Sequence, residues 1–281
     1  MTHPVALVVL DGMKYDTATA HLTFLERLVD AGRGRRWRME CAMPSLSRPL
    51  YETLHTGLAP DDHGVTRNDD VRLSTAADNI FSVAREAGRT TAASAFSWMH
   101  ELYNEAPFDA GRHTHVAAPD RPIQYGWFYE PEEQPDAEVF HHASRLIVER
   151  APDYILVHPM GMDFAGHGHG GRSAEYRDRA IAMNAVLARH LPDWLARGYQ
   201  VMVTSDHGMD DAGSHGGDTP DERLVPFYWL GSPAGAEQAP RPDETVSQLA
   251  VAATVLGAMG LRAPRDARTP PLDGPRRPRA A

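Results

Sequence analysis

Apolar positions along the chain fall into two alternating patterns. Short runs that are apolar or alternate in polarity predict strands over residues 5–10, 36–41, 91–96, 153–158, 200–204 and 225–230. Apolar positions at helical spacing predict helices over residues 17–32, 76–88, 136–151, 173–197 and 244–259. Pro49 and Gly57 bound a shorter predicted helix over 49–56. Strand–helix alternation of this kind predicts an α/β fold, with helices on both faces of a largely parallel central sheet.

Two segments depart from the alternation. Residues 97–135 are rich in aromatic residues, Pro and Gly and have no steady period, so we interpret them as a small insertion or cap outside the sheet. Residues 262–281 are rich in Pro and Arg and are predicted to be a disordered tail. The sequence therefore predicts a single domain over residues 1–261.

Composition narrows the class of protein. The chain has 281 residues and a formal net charge of −10, which argues against a surface for nucleic-acid polymers. A single cysteine, Cys41, excludes an internal disulfide and a cysteine-rich zinc cluster, and it fits a reducing compartment. Neither a signal peptide nor a membrane span is indicated. We expect a cytoplasmic protein without membrane contact, and its oligomeric state is open.

Chemically active side chains follow four of the predicted strands. They are Asp11; Ser45 and Ser47; Asp163, His167 and His169; and Asp206, His207 and His215. Functional groups in α/β sheets gather beyond the carboxyl ends of the strands, so these side chains are expected to lie together. Carboxylates and imidazoles are ligands for zinc or manganese, and the glycines around them allow close approach of the backbone.

Ser47 is the candidate nucleophile among the hydroxyl groups. It precedes the short predicted helix, whose N-terminus favours an anion because its N–H groups are free. A serine beside a metal ion can lose its proton and attack phosphorus. Asp163 and His167 are four residues apart, so one helical turn can direct both side chains at the same ion.

Five motifs together resemble the alkaline phosphatase superfamily, and within it the type I phosphodiesterase/nucleotide pyrophosphatase group. In chain order they read "LDGM", "PSLSRP", "TGLAPDDHGVTRN", "DFAGH" and "SDHGM". The compact stretch "SDHGMDDAGSHGG" and the "PSLSRP" loop also resemble the glycolipid-anchor ethanolamine-phosphate transferases. The resemblance implies an alkaline phosphatase-like fold and a site with two divalent ions, zinc in the first place and manganese or iron as alternatives.

The resemblance also implies a role for each matching residue. Ser47 is the nucleophile, and Asn68 contacts a phosphoryl oxygen. The metal ligands divide into two sets: Asp11, Ser47, Asp206 and His207 for one ion, and Asp163, His167 and His215 for the other. His215 is assigned through the transferase-like stretch, with His169 as the alternative.

The implied activity is hydrolysis of a small-molecule phosphate ester. We favour a phosphodiesterase or nucleotide pyrophosphatase that acts through a covalent intermediate on Ser47. The alternatives are a phosphomonoesterase or phosphonate hydrolase, then a phosphomutase, and a non-catalytic protein that binds metal or phosphate; a sulfatase is disfavoured because its nucleophile motif is missing. The candidate substrate contacts are Arg48, Arg67, Trp98 and Tyr125, and Lys14 is a further cation near the motifs.

Overall fold

A computed structural model describes residues 3–76, 78–231 and 245–272. In these ranges the strands are β1 (Val5–Val9), β2 (Gly34–Glu40), β3 (Thr91–Phe96), β4 (His115–Ala117), β5 (Tyr125–Tyr129), β6 (Tyr154–His158), β7 (Gln200–Thr204), β8 (Leu224–Leu230) and β9 (Thr245–Ser247). The helices are α1 (Tyr15–His21), α2 (Thr23–Asp30), α3 (Ser47–Thr56), α4 (Pro60–His63), α5 (Ile80–Glu86), α6 (Ser97–Tyr103), α7 (Ala110–His113), α8 (Asp136–Arg150), α9 (Gly161–His169), α10 (Ala174–Ala196), α11 (Pro220–Arg223) and α12 (Val251–Ala258), and a 3-10 turn (Gln248–Ala250) precedes α12.

The strands of the described ranges form one mixed sheet in the order β4-β5-β3-β6-β1-β7-β8-β2-β9. The five strands from β5 to β7 are parallel to one another. β8 runs antiparallel to both of its neighbours, and β4 runs antiparallel to β5. The predicted α/β fold with a largely parallel sheet is confirmed.

Strand β1 shows why the central strands are apolar throughout. Its side chains alternate between two buried clusters: Val5, Leu7 and Val9 face one, and Ala6 and Val8 face the other. Helices α3, α5, α6 and α12 cover the first cluster, whereas α1, α2, α8 and α10 cover the second. A strand buried on both faces needs apolar residues at every position, so the run carries no polar alternation.

The prediction that residues 97–135 lie outside the sheet is wrong. Strand β5 pairs in parallel with β3, with Tyr125 opposite Ala92 and Tyr129 opposite Phe96. Gly126 occurs inside the strand because a Cβ there would lie 2.3 Å from the ring of Phe128. The glycine that broke the sequence pattern therefore makes room for a neighbouring aromatic ring, as a glycine within a strand often does.

Two predicted helices are shorter than expected. The helix predicted over 17–32 divides into α1 and α2 at Leu22, whose ψ of 57° leaves the helical region. The helix predicted over 244–259 begins later, because Thr245–Ser247 instead pairs with β2 as strand β9. Residue 244 lies outside the described residues.

The segment predicted to be a disordered tail is partly ordered. The guanidinium of Arg262 pairs with the carboxylates of Asp78 and Glu86, and the N–H of Leu272 donates to Oγ1 of Thr254 at 2.9 Å. The domain therefore extends beyond 261, and the prediction for 273–281 falls outside the described residues. No helix in the described part of the chain has the length and apolar character needed to cross a bilayer.

Candidate active site

The centre of the site lies where β6, β1 and β7 stand side by side in the sheet. Asp11 follows β1, Asp206 follows β7, and Asp163 lies on α9, the helix after β6. Gly12 has φ +73°, and a Cβ there would lie 2.8 Å from Cα of Asp163. This close approach of two backbones brings the loop of Asp11 against α9 and requires glycine.

Three histidines surround these carboxylates with the same orientation. Nδ1 of His167, His207 and His215 each donates to a backbone carbonyl, that of Gly213, Gly208 and Ser45 respectively, at 2.8 Å. A carbonyl can only accept, so Nδ1 holds the proton and Nε2 presents a lone pair. Burial lowers the pKa of both His207 and His215 to about 3, which keeps these two rings neutral.

The free nitrogen atoms converge on the carboxylates. Nε2 of His215 lies 3.2 Å from Nε2 of His167 and 3.6 Å from Oδ1 of Asp163. Nε2 of His207 lies 3.2 Å from Oδ2 of Asp206 and 3.5 Å from Oδ1 of Asp11. Lone pairs that face one another and face carboxylate oxygens repel, unless a cation lies between them.

Buried carboxylate oxygens give a second sign that the site suits cations. Oδ1 of Asp11, Oδ1 of Asp163 and Oδ2 of Asp206 are buried without a hydrogen-bond partner among the described residues. Burial, followed by repulsion from Asp206, raises the pKa of Asp11 well above the ordinary carboxylate range. Burial, followed by repulsion from Asp11, does the same for Asp163. Divalent ions would supply positive charge beside these carboxylates, so the carboxylate and imidazole groups fit metal ions.

The metal-ligand sets predicted from sequence are brought together. The side chains of Asp163, His167 and His215 form one cluster of possible ligand atoms within 4.8 Å of one another. A second such cluster consists of Asp11, Asp163 and His207, so that Asp163 belongs to both. Asp206 contacts His207 beside this second cluster. The division of ligands between two ions stays a prediction. His169, the alternative to His215, is exposed at the end of α9.

The structure distinguishes the two candidate serines. Ser47 is the first residue of α3, which begins two residues earlier than predicted, and its Oγ lies 3.0 Å from Nε2 of His207. Oγ of Ser45 instead donates to the carbonyl of Gly217 at 2.6 Å and accepts from the N–H of Gly216 at 3.0 Å. Ser47 therefore lies at the cluster, and Ser45 holds the loop that contains His215.

Arg48 holds Asn68 through two hydrogen bonds, and its role as a substrate contact stays a prediction, because its buried Nη1 has no hydrogen-bond partner among the described residues. Its backbone N–H donates to Oδ1 of Asn68 at 3.1 Å, and its Nε donates to the backbone carbonyl of Asn68 at 2.9 Å. The fully buried guanidinium also pairs with Glu101 at 2.8 Å and lies over the ring of Trp98 at 4.4 Å. Because Oδ1 of Asn68 is occupied, Nδ2 is the group that this amide can offer to another acceptor.

The other three predicted substrate contacts lie in different places relative to the site. Trp98 lies beside Arg48, with its ring 6.3 Å from the ring of Tyr51 on α3, the helix that Ser47 begins. Arg67 is 73% exposed and pairs with Asp69 at 3.4 Å, so the structure does not direct it at the cluster. Tyr125 begins β5 at the amino edge of the parallel strands, opposite the edge where the site lies, and its assignment to the site is wrong.

Three residues at the site escaped the sequence interpretation. Tyr51 and His158 are fully buried and both donate to Oδ2 of Asp11, His158 from Nε2 at 2.9 Å. Nε2 of Gln248 donates to the carbonyl of Asp206 at 2.6 Å. Tyr51 lies one helical turn after Ser47, a spacing that indicates a shared helix face. His158 gave a weaker signal, as a lone polar residue that ends an apolar strand.

Sequence comparison matches this chain to one protein family and to a set of more distant curated relatives. Residues 5–225 match the family described as type I phosphodiesterase / nucleotide pyrophosphatase. The catalytic subunit of human GPI ethanolamine phosphate transferase 2 is 24% identical over 279 residues, covering 93% of this chain and 27% of the transferase. The chain spans 27 to 35% of the length of this protein and two fungal transferases of the same name.

Solved structures share the fold at low sequence identity. Murine ectonucleotide pyrophosphatase / phosphodiesterase 5 has a TM-score of 0.70 and 13% identity, with 92% of this chain and 96% of that chain covered. An inactive variant of that protein has been solved in complex with AMP. Phosphonoacetate hydrolase from Sinorhizobium meliloti has a TM-score of 0.53 and 19% identity, with 74% of this chain and 56% of that chain covered.

Proposed function

Because the chain belongs to the type I phosphodiesterase/nucleotide pyrophosphatase family, we propose that it cleaves a phosphodiester bond in a small-molecule substrate, with Ser47 as the nucleophile. One observation carries the proposal. Oγ of Ser47 lies at the first turn of α3 and 3.0 Å from Nε2 of His207, beside the cluster of carboxylates and imidazoles. A serine in this position can attack a phosphorus atom held at the helix N-terminus.

The reaction begins with a bond from Oγ of Ser47 to phosphorus. The Ser47 hydroxyl gives up its proton, the bond from phosphorus to the leaving oxygen breaks, and the leaving group departs as an alcohol. Water then cleaves the bond to Oγ and restores the serine. Divalent ions held by the carboxylates and histidines would lower the pKa of the hydroxyl and offset charge on the phosphoryl group.

Asn68 and Arg48 give the reason to favour a diester. Oδ1 of Asn68 accepts from Arg48, which leaves Nδ2 to donate to a phosphoryl oxygen without adding charge. A dianionic monoester calls for further cations, yet the charge of Arg48 is already shared with Glu101. Trp98 covers the guanidinium and leaves an aromatic surface near the nucleophile. The singly charged phosphoryl group of a diester therefore fits these contacts best.

A second candidate is transfer of the phosphoryl group to an alcohol instead of water. The observation in its favour is the 24% identity, over 93% of this chain, to a human GPI ethanolamine phosphate transferase. Both reactions share attack by Ser47 and differ in the acceptor that releases the intermediate. An acceptor alcohol would compete with water for the same phosphoserine.

The test compares bis-p-nitrophenyl phosphate with p-nitrophenyl phosphate after loading with zinc, manganese or iron. We expect faster turnover of the diester, with a loss on the order of 10³-fold or more in Ser47→Ala. Ser94→Ala is the matched control, because Ser94 is equally buried but donates to the carbonyl of Val139 inside the sheet. Full activity in Ser47→Ala, or no turnover of either ester, would refute the proposal.

Product analysis separates hydrolysis from transfer. The reaction is repeated with added ethanolamine or glycerol as acceptor, and the phosphorus-containing products are identified by mass spectrometry. Formation of a new diester at the expense of the hydrolysis product supports a transferase. Unchanged products at high acceptor concentration support a hydrolase.

A further inference from the structure

A polar cavity of about 310 Å³ lies between α1 and the start of α10, outside the candidate metal ligands. Its charged and polar lining includes Lys14, His21, Arg172, Ser173, Arg177 and Asp221. We propose that this cavity binds an oxyanion, a phosphate ion or the phosphoryl group of a small molecule, with Lys14 as its central cation. The proposal does not depend on the activity proposed for Ser47.

Lys14 is the strongest observation. It is the only lysine in a sequence with 28 Lys and Arg residues together, and its side chain is 7% exposed. Among the residues that the structure describes, its ammonium pairs with Oδ2 of Asp221 at 3.6 Å, which is longer than a hydrogen bond. Lys14 lines the cavity, and its ammonium offers three donors to whatever acceptors are close. The oxygens of an anion in the cavity would supply them.

The first turn of α10 lies beside the cavity and adds positive potential there. This helix has 23 residues, and its N-cap Ser173 uses its side chain to accept from the N–H of Tyr176. The positive end of the helix dipole at this turn favours an anion nearby. Arg172 and Arg177, on either side of this turn, place two further cations on the cavity wall, and they pair with the exposed carboxylates of Asp211 and Asp178 respectively, both at 3.1 Å.

Two aspartates limit what can bind. Asp16 and Asp221 also line the cavity, and Asp221 pairs with Arg172 at 3.2 Å as well as with Lys14. An anion must therefore compete with Asp221 for both Lys14 and Arg172, and Asp221 is the carboxylate that limits its affinity for Lys14. The volume has room for about ten water molecules of about 30 Å³ each, which accommodates phosphate or a short phosphate ester.

The cavity is in contact with the loop of the candidate active site. Gly208 directly follows His207, and a Cβ on Gly208 would lie 2.1 Å from the carbonyl oxygen of Asp221 and 3.1 Å from Cβ of Lys14. The N–H of Met209 donates to the same carbonyl at 2.9 Å. A bound anion that displaces the Asp221 carboxylate from Lys14 acts on residues that support His207.

The single lysine gives a direct assay. In the full-length, metal-loaded protein labelled with [13C]lysine, Lys14 produces one Cε resonance, which is followed as inorganic phosphate is added at constant ionic strength. We expect a saturable shift. Asp221→Asn should tighten binding about two- to fivefold, and Arg172→Met should weaken it by a similar factor. Both variants keep the reporting lysine, and Arg189→Met, at a separate surface of α10, is the matched control.

Asp221→Asn and Arg172→Met are expected to change the affinity for phosphate in opposite directions, whereas a loss of folding would weaken binding in both variants. A resonance that does not saturate up to about 100 mM phosphate would overturn the proposal, as would an equal response to chloride. Weaker binding in Asp221→Asn would also overturn it. Glycerol 3-phosphate is titrated in parallel. Tighter binding of the ester supports a phosphoryl group on a larger molecule, and tighter binding of phosphate supports the free ion.

Discussion

Tyr51 offers a measurable link between the packing around the site and metal binding. From a fully buried position on α3 its phenol donates to Oδ2 of Asp11, a candidate metal ligand. Tyr51→Phe removes this donor and keeps the ring, which packs edge-on against His158 at 4.7 Å between ring centres. The change therefore isolates one hydrogen bond.

The magnitude follows from the charge of the acceptor. A hydrogen bond to a charged group contributes about 1.5–3 kcal/mol, and 1.4 kcal/mol is a factor of ten in an equilibrium constant. His158 still donates to the same oxygen at 2.9 Å, so Asp11 keeps one of its two donors. We predict that Tyr51→Phe lowers affinity for a divalent metal by about ten- to a hundredfold, the range found when groups that orient a ligand are removed.

The affinity is measured by competition with a chromophoric chelator at fixed pH. Tyr103→Phe serves as control, because Tyr103 is also buried and donates to Oε2 of Glu52 at 2.8 Å, which is not a candidate ligand. The control should lose stability without losing metal affinity. Wild-type affinity in Tyr51→Phe, or equal losses in both variants, would refute the reasoning.

Three further predictions concern stability and metal binding. Burial raises the pKa of Asp136 to about 6, so the folded protein loses stability as pH rises from about 4 to 6. The free energy of unfolding of Asp136→Asn, measured in urea relative to wild type, should therefore be higher by about 3 kcal/mol at pH 8 than at pH 4. A difference between variant and wild type that does not vary with pH contradicts this. Removal of metal with a chelator should lower the melting temperature, because the buried oxygens of Asp11, Asp163 and Asp206 lose their cations. Calorimetry with and without metal measures this, and an unchanged unfolding transition argues against bound metal. Gly213→Ala should reduce metal content in elemental analysis, because Gly213 has φ +78° and its Cβ would lie 2.8 Å from the carbonyl of Gly166; full occupancy would contradict it.

The central strands were predictable because burial on both faces makes them uniformly apolar. Strand β5 was missed because its pairing depends on β3, and Gly126 interrupts the local pattern for a reason that only Phe128 in place reveals. The antiparallel direction of β8 was not predictable either, since strand direction depends on the path of the connecting chain. Local sequence predicts that a strand exists more readily than it predicts the strand's neighbours.

The candidate ligands were predictable because each belongs to a short motif after a strand. The ion pair of Arg48 with Glu101 could not be predicted, because the two residues lie 53 positions apart in sequence. Tyr51 and His158 also act on Asp11 from a distance in sequence, across 40 and 147 residues. Residues that orient other residues carry little signal of their own, since their role exists only after the chain has folded.

The orientation of the three histidines has a consequence for how this site can diverge. Each imidazole is held by a peptide carbonyl, those of Ser45, Gly208 and Gly213. A point mutation can delete a side chain, but it leaves the carbonyl in place. Side chains around the imidazoles can therefore be replaced without removing the acceptors that orient the rings, provided that the backbone keeps its course. The orientation of the three histidines thus depends on the path of the loops more than on the side chains that the loops carry.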